Sequence, residues 1–224
     1  MVKTGNSILE LFSMLAILLP VIPLLIILFK KLYSFPVIQL LTVACLLGFG
    51  EFLFRFIDID TGRQQLINAL FRTTDSTLLL LIFKVMSSGK RLSDFFNFVL
   101  ISSTSIIVTL YCTTGIEKYH IAIRFVQAVL MIASAMIIMA QLVRTRDVLL
   151  FEMPIFWIAS ATFFYYCMSI FIDRITSTQM NGIVQANTDK IILFHLIHFV
   201  RYLFYIIAVI ITGTGNDIYK SEKN

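Results

Sequence analysis

Seven apolar runs dominate this chain. They are Ile8–Phe29, Pro36–Ile57, Gln65–Met86, Phe95–Cys112, Tyr119–Val143, Leu149–Ile172 and Lys190–Thr212, each 18 residues or longer. A helix needs about 20 residues to cross the hydrocarbon core of a bilayer, so every run has spanning length. In that solvent each backbone N–H and C=O must be bonded inside the protein, which leaves helices and closed barrels. The runs do not alternate in the ~10-residue pattern of barrel strands. The expectation is all-α: one polytopic membrane domain over residues 1–224 with seven transmembrane helices. Composition agrees, with 58% hydrophobic and 14% charged residues against about 45–50% and about 25% in soluble domains.

The third run is the weakest, because its first half, QQLINALFRTTDST, is polar. The first run is longer than the apolar core of a signal peptide and lacks a small-x-small cleavage site, so it predicts a retained span. Pro20 and Pro23 should kink it.

Orientation follows from the basic residues in the connections. One side carries Lys30, Lys31, Lys90, Arg91, Arg144, Arg146, Lys220 and Lys223, and the other carries Lys3, Arg63, Lys118, Arg174 and Lys190, interleaved with acidic residues. The richer side is expected to be cytoplasmic, which places the N-terminus outside and the C-terminus inside. The net charge of +5 then reflects basic pairs at membrane edges facing lipid headgroups, and no nucleic-acid partner is expected. Cys45, Cys112 and Cys167 fall within apolar runs with no metal-finger spacing, the pattern of buried free thiols.

Ionisable residues within spans are costly, and each is a candidate functional group. Glu51, Arg55 and Asp58 follow an i, i+4, i+7 spacing, as do Asn68, Arg72 and Asp75, and His120, Arg124 and Gln127. That spacing puts each trio on one helix face. His195, His198 and Tyr202 follow i, i+3, i+7, with Arg201 and Tyr205 beside them, and the sixth run adds Tyr165, Tyr166 and Ser169. With the orientation above, the residues of the second, third, fifth and sixth runs lie in the outer half of the membrane, while His195, His198 and Arg201 lie in the outer to middle part of the seventh, with Tyr202 and Tyr205 below. Charged stripes facing lipid would be expensive, so they should converge on an outward-opening polar interior. Four arginines, Arg55, Arg72, Arg124 and Arg201, against Glu51 and Asp75 favour a small polar or anionic ligand. The alternative is that the charges pair with one another and fix helix packing. The predicted ligand-binding set is Glu51, Arg55, Arg72, Asp75, His120, Arg124, Gln127, His195, His198, Arg201 and Tyr202.

The His195-x-x-His198 pair invites a metal, with His120, Glu51 or Asp75 as a third ligand. Seven-helix hydrolases of the ceramidase type carry a histidine on an early helix, and no histidine precedes His120 here. Hydrogen-bonded or pH-sensitive core histidines are the plainer reading. No metal, cofactor or catalytic residue is therefore assigned. There is no phosphate-binding glycine loop, Gly-x-Ser-x-Gly or His-Glu-x-x-His. The hydroxyl cluster Ser102–Ser105 has no companion base, so backbone or interhelical bonding is its expected use. Trp157, beside Pro154, reads as an interfacial anchor.

The segments EMPIFWIASATFFYYCMSIFI and LFHLIHFVRYLFYIIAVI resemble the sixth and seventh helices of a group of small seven-helix membrane proteins of Bacteroidota. Pro154, Phe156, Trp157, Ile158, Tyr165, His198 and Tyr205 are the matching positions. The group has no established activity, so the resemblance implies a location, the bacterial inner membrane, and no chemistry. Without an effector domain in the short loops, the residues point first to a receptor- or sensor-like protein. Its output would pass through a cytoplasmic partner or a homo-oligomer. A small-solute transporter and an intramembrane metal-dependent hydrolase are the alternatives. No internal repeat or paired helix break supports the transporter.

Overall fold

The computed structural model describes residues 18–54, 61–87, 89–114, 116–145, 149–178 and 185–214. The beginning of the first apolar run, residues 8–17, therefore lies outside the described residues, as do Arg55 and Asp58. The described chain is helical throughout. Its α-helices are α1 (Val21–Phe29), α2 (Pro36–Phe54), α3 (Thr61–Met86), α4 (Lys90–Thr114), α5 (Ile116–Thr145), α6 (Pro154–Thr178) and α7 (Gln185–Thr214). Four of them contain stretches long and apolar enough to cross a membrane: Pro36–Phe54, Arg124–Arg144, Pro154–Ile172 and Ile192–Thr214. These are the dimensions of a helical membrane protein.

Local chemistry sets the helix ends. A turn at Leu19 and Pro20 precedes α1, and Pro23 falls within its first turn, where backbone N–H groups have no intrahelical acceptor to lose. Proline thus interrupts the first run at Pro20 and starts a helix there. The chain leaves α1 through Lys31 in a left-handed conformation (φ 53°) and a single 3-10 turn, Leu32–Ser34. Pro36 and Pro154 then open α2 and α6, the first-turn position that proline's fixed φ suits. The tight connection from α3 to α4 passes through Gly89 at φ +105°, a conformation that glycine adopts without strain.

Each helix packs on its neighbours in sequence, α7 closes back onto α1, and α3 also reaches α5. The result is a ring of helices in which α6 has extensive contact with both α5 and α7. Leu41, Cys45, Leu79, Ile82, Phe83, Phe96, Ile158, Ala159, Tyr205 and Val209 are buried inside it. The outer surface is apolar as well: Leu28, Phe98, Ile101, Met136, Phe171 and Leu203 are exposed. Meanwhile Ser76, Gln127, Ser134, Thr162, His195, His198, Arg201 and Thr212 are buried. Apolar residues outside and polar ones within is the distribution that a hydrocarbon solvent selects.

Hydroxyl groups within the helices mostly bond backward. Thr42, Thr73, Thr77, Thr162 and Thr212 each donate to the carbonyl four residues earlier. Within the Ser102–Ser105 cluster, Ser103 and Thr104 both donate to the Leu100 carbonyl. Such bonds satisfy a polar side chain without a partner helix. The Trp157 indole N–H donates to the Phe151 carbonyl at 2.8 Å, tying α6 to the 3-10 turn before it.

Candidate polar cavity

On α3, the four- and three-residue steps from Arg72 bring Asp75 and Ser76 to the same side as Arg72 itself. On α5, Arg124, Gln127 and Ala128 repeat that spacing. Ser76 donates back to the Arg72 and Thr73 carbonyls at 3.0 Å. The Gln127 amide crosses from α5 to donate to the Arg72 carbonyl at 3.2 Å and to the Ser76 hydroxyl. A side-chain amide thus stitches α5 onto α3 where both helices turn a charged residue inward.

Glu51 arrives from the end of α2, and Tyr165, Tyr166 and Ser169 from α6. Together with Arg72, Asp75, Arg124, Gln127 and Ala128 they line one small cavity of about 20 Å³. It lies toward the end of the ring at which α2 and α6 finish and α3, α5 and α7 begin. Four helices therefore deliver their polar faces to one space.

Beneath it lies Arg201 of α7. Its Nη2 donates to the Asp75 Oδ1 at 2.6 Å, and its Nε donates to the Tyr205 hydroxyl at 3.0 Å. The guanidinium carbon sits 4.6 Å from the Tyr165 ring centroid, 5.3 Å from Tyr205 and 6.0 Å from Tyr202. Only 4% of the Arg201 side chain and 16% of Asp75 are exposed. A buried guanidinium is tolerated because one carboxylate neutralises it, a phenol accepts a further N–H, and aromatic faces surround the rest. Asp75 and Tyr165 belong both to the cavity wall and to the shell around Arg201.

The histidines lie elsewhere. His198 is boxed by Phe194 at 4.3 Å, Tyr165 at 5.0 Å, Phe52 at 5.2 Å and Tyr202 at 6.3 Å between ring centroids. His195 stacks on Phe52 at 6.0 Å with an interplanar angle of 22°. Both are buried between α2, α6 and α7, and neither is among the residues lining the cavity. Among the described residues, no three of His, Cys, Asp and Glu gather to hold a metal ion. Tyr202 packs its hydroxyl against Gly48 of α2, where a Cβ would fall on that oxygen.

Of the ligand-binding residues expected from sequence, Glu51, Arg72, Asp75, Arg124 and Gln127 share the cavity. Arg201 joins it through Asp75, while His195, His198 and Tyr202 belong to the adjoining aromatic cluster. Arg55 and the His120 side chain lie outside the described residues. The stripe on α6 supplies three lining residues, Tyr165, Tyr166 and Ser169, which polarity within that helix marks without assigning a role. Ser76 and Ala128 were missed. Both sit four residues after an arginine of the stripe, and extending the same helical spacing by one position finds them. No protein-family model, curated protein or solved structure matches this chain.

Proposed function

We propose that the chain is a seven-span protein of the bacterial inner membrane, with its N-terminus outside and its C-terminus in the cytoplasm. In this reading it is receptor- or sensor-like. A small polar or anionic ligand enters the outward-facing cavity, and the output passes to a cytoplasmic partner or a second copy. One observation carries the reading: Glu51, Arg72, Asp75 and Arg124, from three helices, meet at one cavity. Opposite charges that reach one space from separate helices can hold a small polar or anionic ligand between them. Asp75 adds a route for output, because anything binding in the cavity contacts the carboxylate that holds Arg201 of α7. The aromatic box around His198 favours this reading over the metal-dependent hydrolase.

Two measurements test it. Cysteine accessibility across intact membranes should label positions 118 and 189 from outside and positions 90 and 220 only after permeabilisation. Thermal melts of the purified protein against a library of small anions should find stabilising ligands whose effect is lost in Arg124→Ala. If no anion stabilises the protein, the receptor reading fails. If a stabilising anion is also taken up by reconstituted vesicles, the protein is a transporter.

A further inference from the structure

We infer that α7 is the output helix of this site, held at Arg201 by two residues of the cavity wall and answering at Gly213, its opposite end, where it meets α1. The inference rests on the proposed ligand site and names the route by which a change in its wall leaves it.

Among the described residues, none that lines the cavity comes from α7, yet two lining residues touch it. Asp75 of α3 accepts from the Arg201 guanidinium at 2.6 Å, and the Tyr165 ring of α6 lies 4.6 Å from the guanidinium carbon. Both contacts fall on one side chain. That side chain is only 4% exposed, and its Nε donates to the Tyr205 hydroxyl one turn further along the same helix. A buried guanidinium parted from its carboxylate is costly, so when the carboxylate shifts the guanidinium follows. Tyr165, Tyr202 and Tyr205 close it in. It therefore follows by moving its own helix, because a close-packed interior passes strain on.

The neighbours of α7 decide where that movement shows. Tyr202, next in sequence, packs its hydroxyl against Gly48 of α2 and is 1% exposed, which makes this contact the fulcrum. Beyond it α7 runs unbroken to Thr214, about 20 Å at ~1.5 Å per residue. Short buried side chains, Ala208 and Val209, line that stretch. At its end Gly213 lets the stem of Lys30, from the end of α1, lie against the backbone. A Cβ there would fall 2.6 Å from the Lys30 Cδ and 3.0 Å from Nζ. Lys30 is exposed, so it yields where the core does not.

The test is NMR of the full chain in lipid nanodiscs, with its lysines dimethylated by isotope-labelled formaldehyde. The Lys30 signal is assigned by its loss in Lys30→Arg, and Lys31, exposed beside it, is the internal control. Asp75→Asn and Tyr165→Leu should each shift the Lys30 signal by more than its linewidth and leave Lys31 in place. Ser169→Ala trims the same wall away from Arg201 and should move neither. Asp75→Glu keeps the ion pair, so it folds even where Asp75→Asn does not, and its longer side chain should shift Lys30 in the same way. If Lys30 stays in place in Asp75→Glu and Tyr165→Leu, the wall is not coupled to the far end and the inference falls, whatever ligand the melts find. If Lys30 responds while no anion stabilises the protein, the receptor reading fails and the coupling stands.

Discussion

The Asp75 carboxylate on α3 holds the Arg201 guanidinium of α7 at 2.6 Å, across 126 positions of sequence. This ion pair between the two helices is almost closed to solvent, at the floor of the polar cavity. Removing either partner leaves a buried charge behind. Asp75→Asn and Arg201→Met should each cost about 3–5 kcal/mol, and the double replacement should cost clearly less than the sum. Unfolding in mixed micelles measures all three. Additive losses would mean that the pair does not act as a unit.

Two glycines make opposite predictions. A Cβ at Gly48 lands on the Tyr202 hydroxyl and 3.0 Å from Cζ, and Tyr202 is 1% exposed, so the ring has nowhere to go. Gly48→Ala should cost about 1–3 kcal/mol, and Tyr202→Phe in the same chain should recover part of it by removing the oxygen. A Cβ at Gly213 comes within 2.6 Å of the Lys30 Cδ, but Lys30 is exposed and its long side chain swings aside. Gly213→Ala should stay within about 0.5 kcal/mol of the parent. Thermal melts of the three variants decide it.

The Gln127 contacts are a polar tie between α5 and α3. Gln127→Leu removes them while Ser76 keeps its own bonds to the Arg72 and Thr73 carbonyls. The expected loss is about 0.6–1.7 kcal/mol, the range of interhelical hydrogen bonds in membrane proteins. An equilibrium unfolding measurement that gives more than twice this would mean that Gln127 also supports the charged wall of the cavity.

The aromatic box predicts how His198 tolerates change. His198→Phe preserves a flat ring among Phe52, Tyr165, Phe194 and Tyr202 and should remain within about 1.5 kcal/mol of the parent. His198→Ala opens a hole and should cost about 3–5 kcal/mol. Zinc content measured alongside the melts separates packing from metal binding. Stoichiometric zinc lost in His198→Phe would reverse the assignment.

Much of the site was legible as helical spacing. Arg72 with Asp75, and Arg124 with Gln127, lie three residues apart, and a three-residue step keeps side chains on one face whatever surrounds the helix. Polarity inside an apolar run also marked Glu51 and Arg201. Spacing does not say which stripe meets which. His195, His198 and Tyr202 form as regular a stripe as Arg72 and Asp75, yet the histidines pack against Phe52 and Phe194, Tyr202 packs against Gly48, and none of the three lines the cavity. The partner of Asp75 was equally open, because Arg72 on its own helix is near in sequence and Arg201 on α7 is the partner that the structure records.

The chain by itself determined its solvent and its helices. Apolar stretches of spanning length, proline at the starts of α2 and α6, and Gly89 before α4 act through backbone hydrogen bonding and local sterics, which need no distant partner. Tertiary structure decided which polar groups share a space. Rotation of each helix about its axis is set by packing, by Tyr202 against Gly48 and by Gln127 against Ser76. Those rotations turn Arg72 and Arg124 toward one cavity, Arg201 toward Asp75, and both histidines into an aromatic wall.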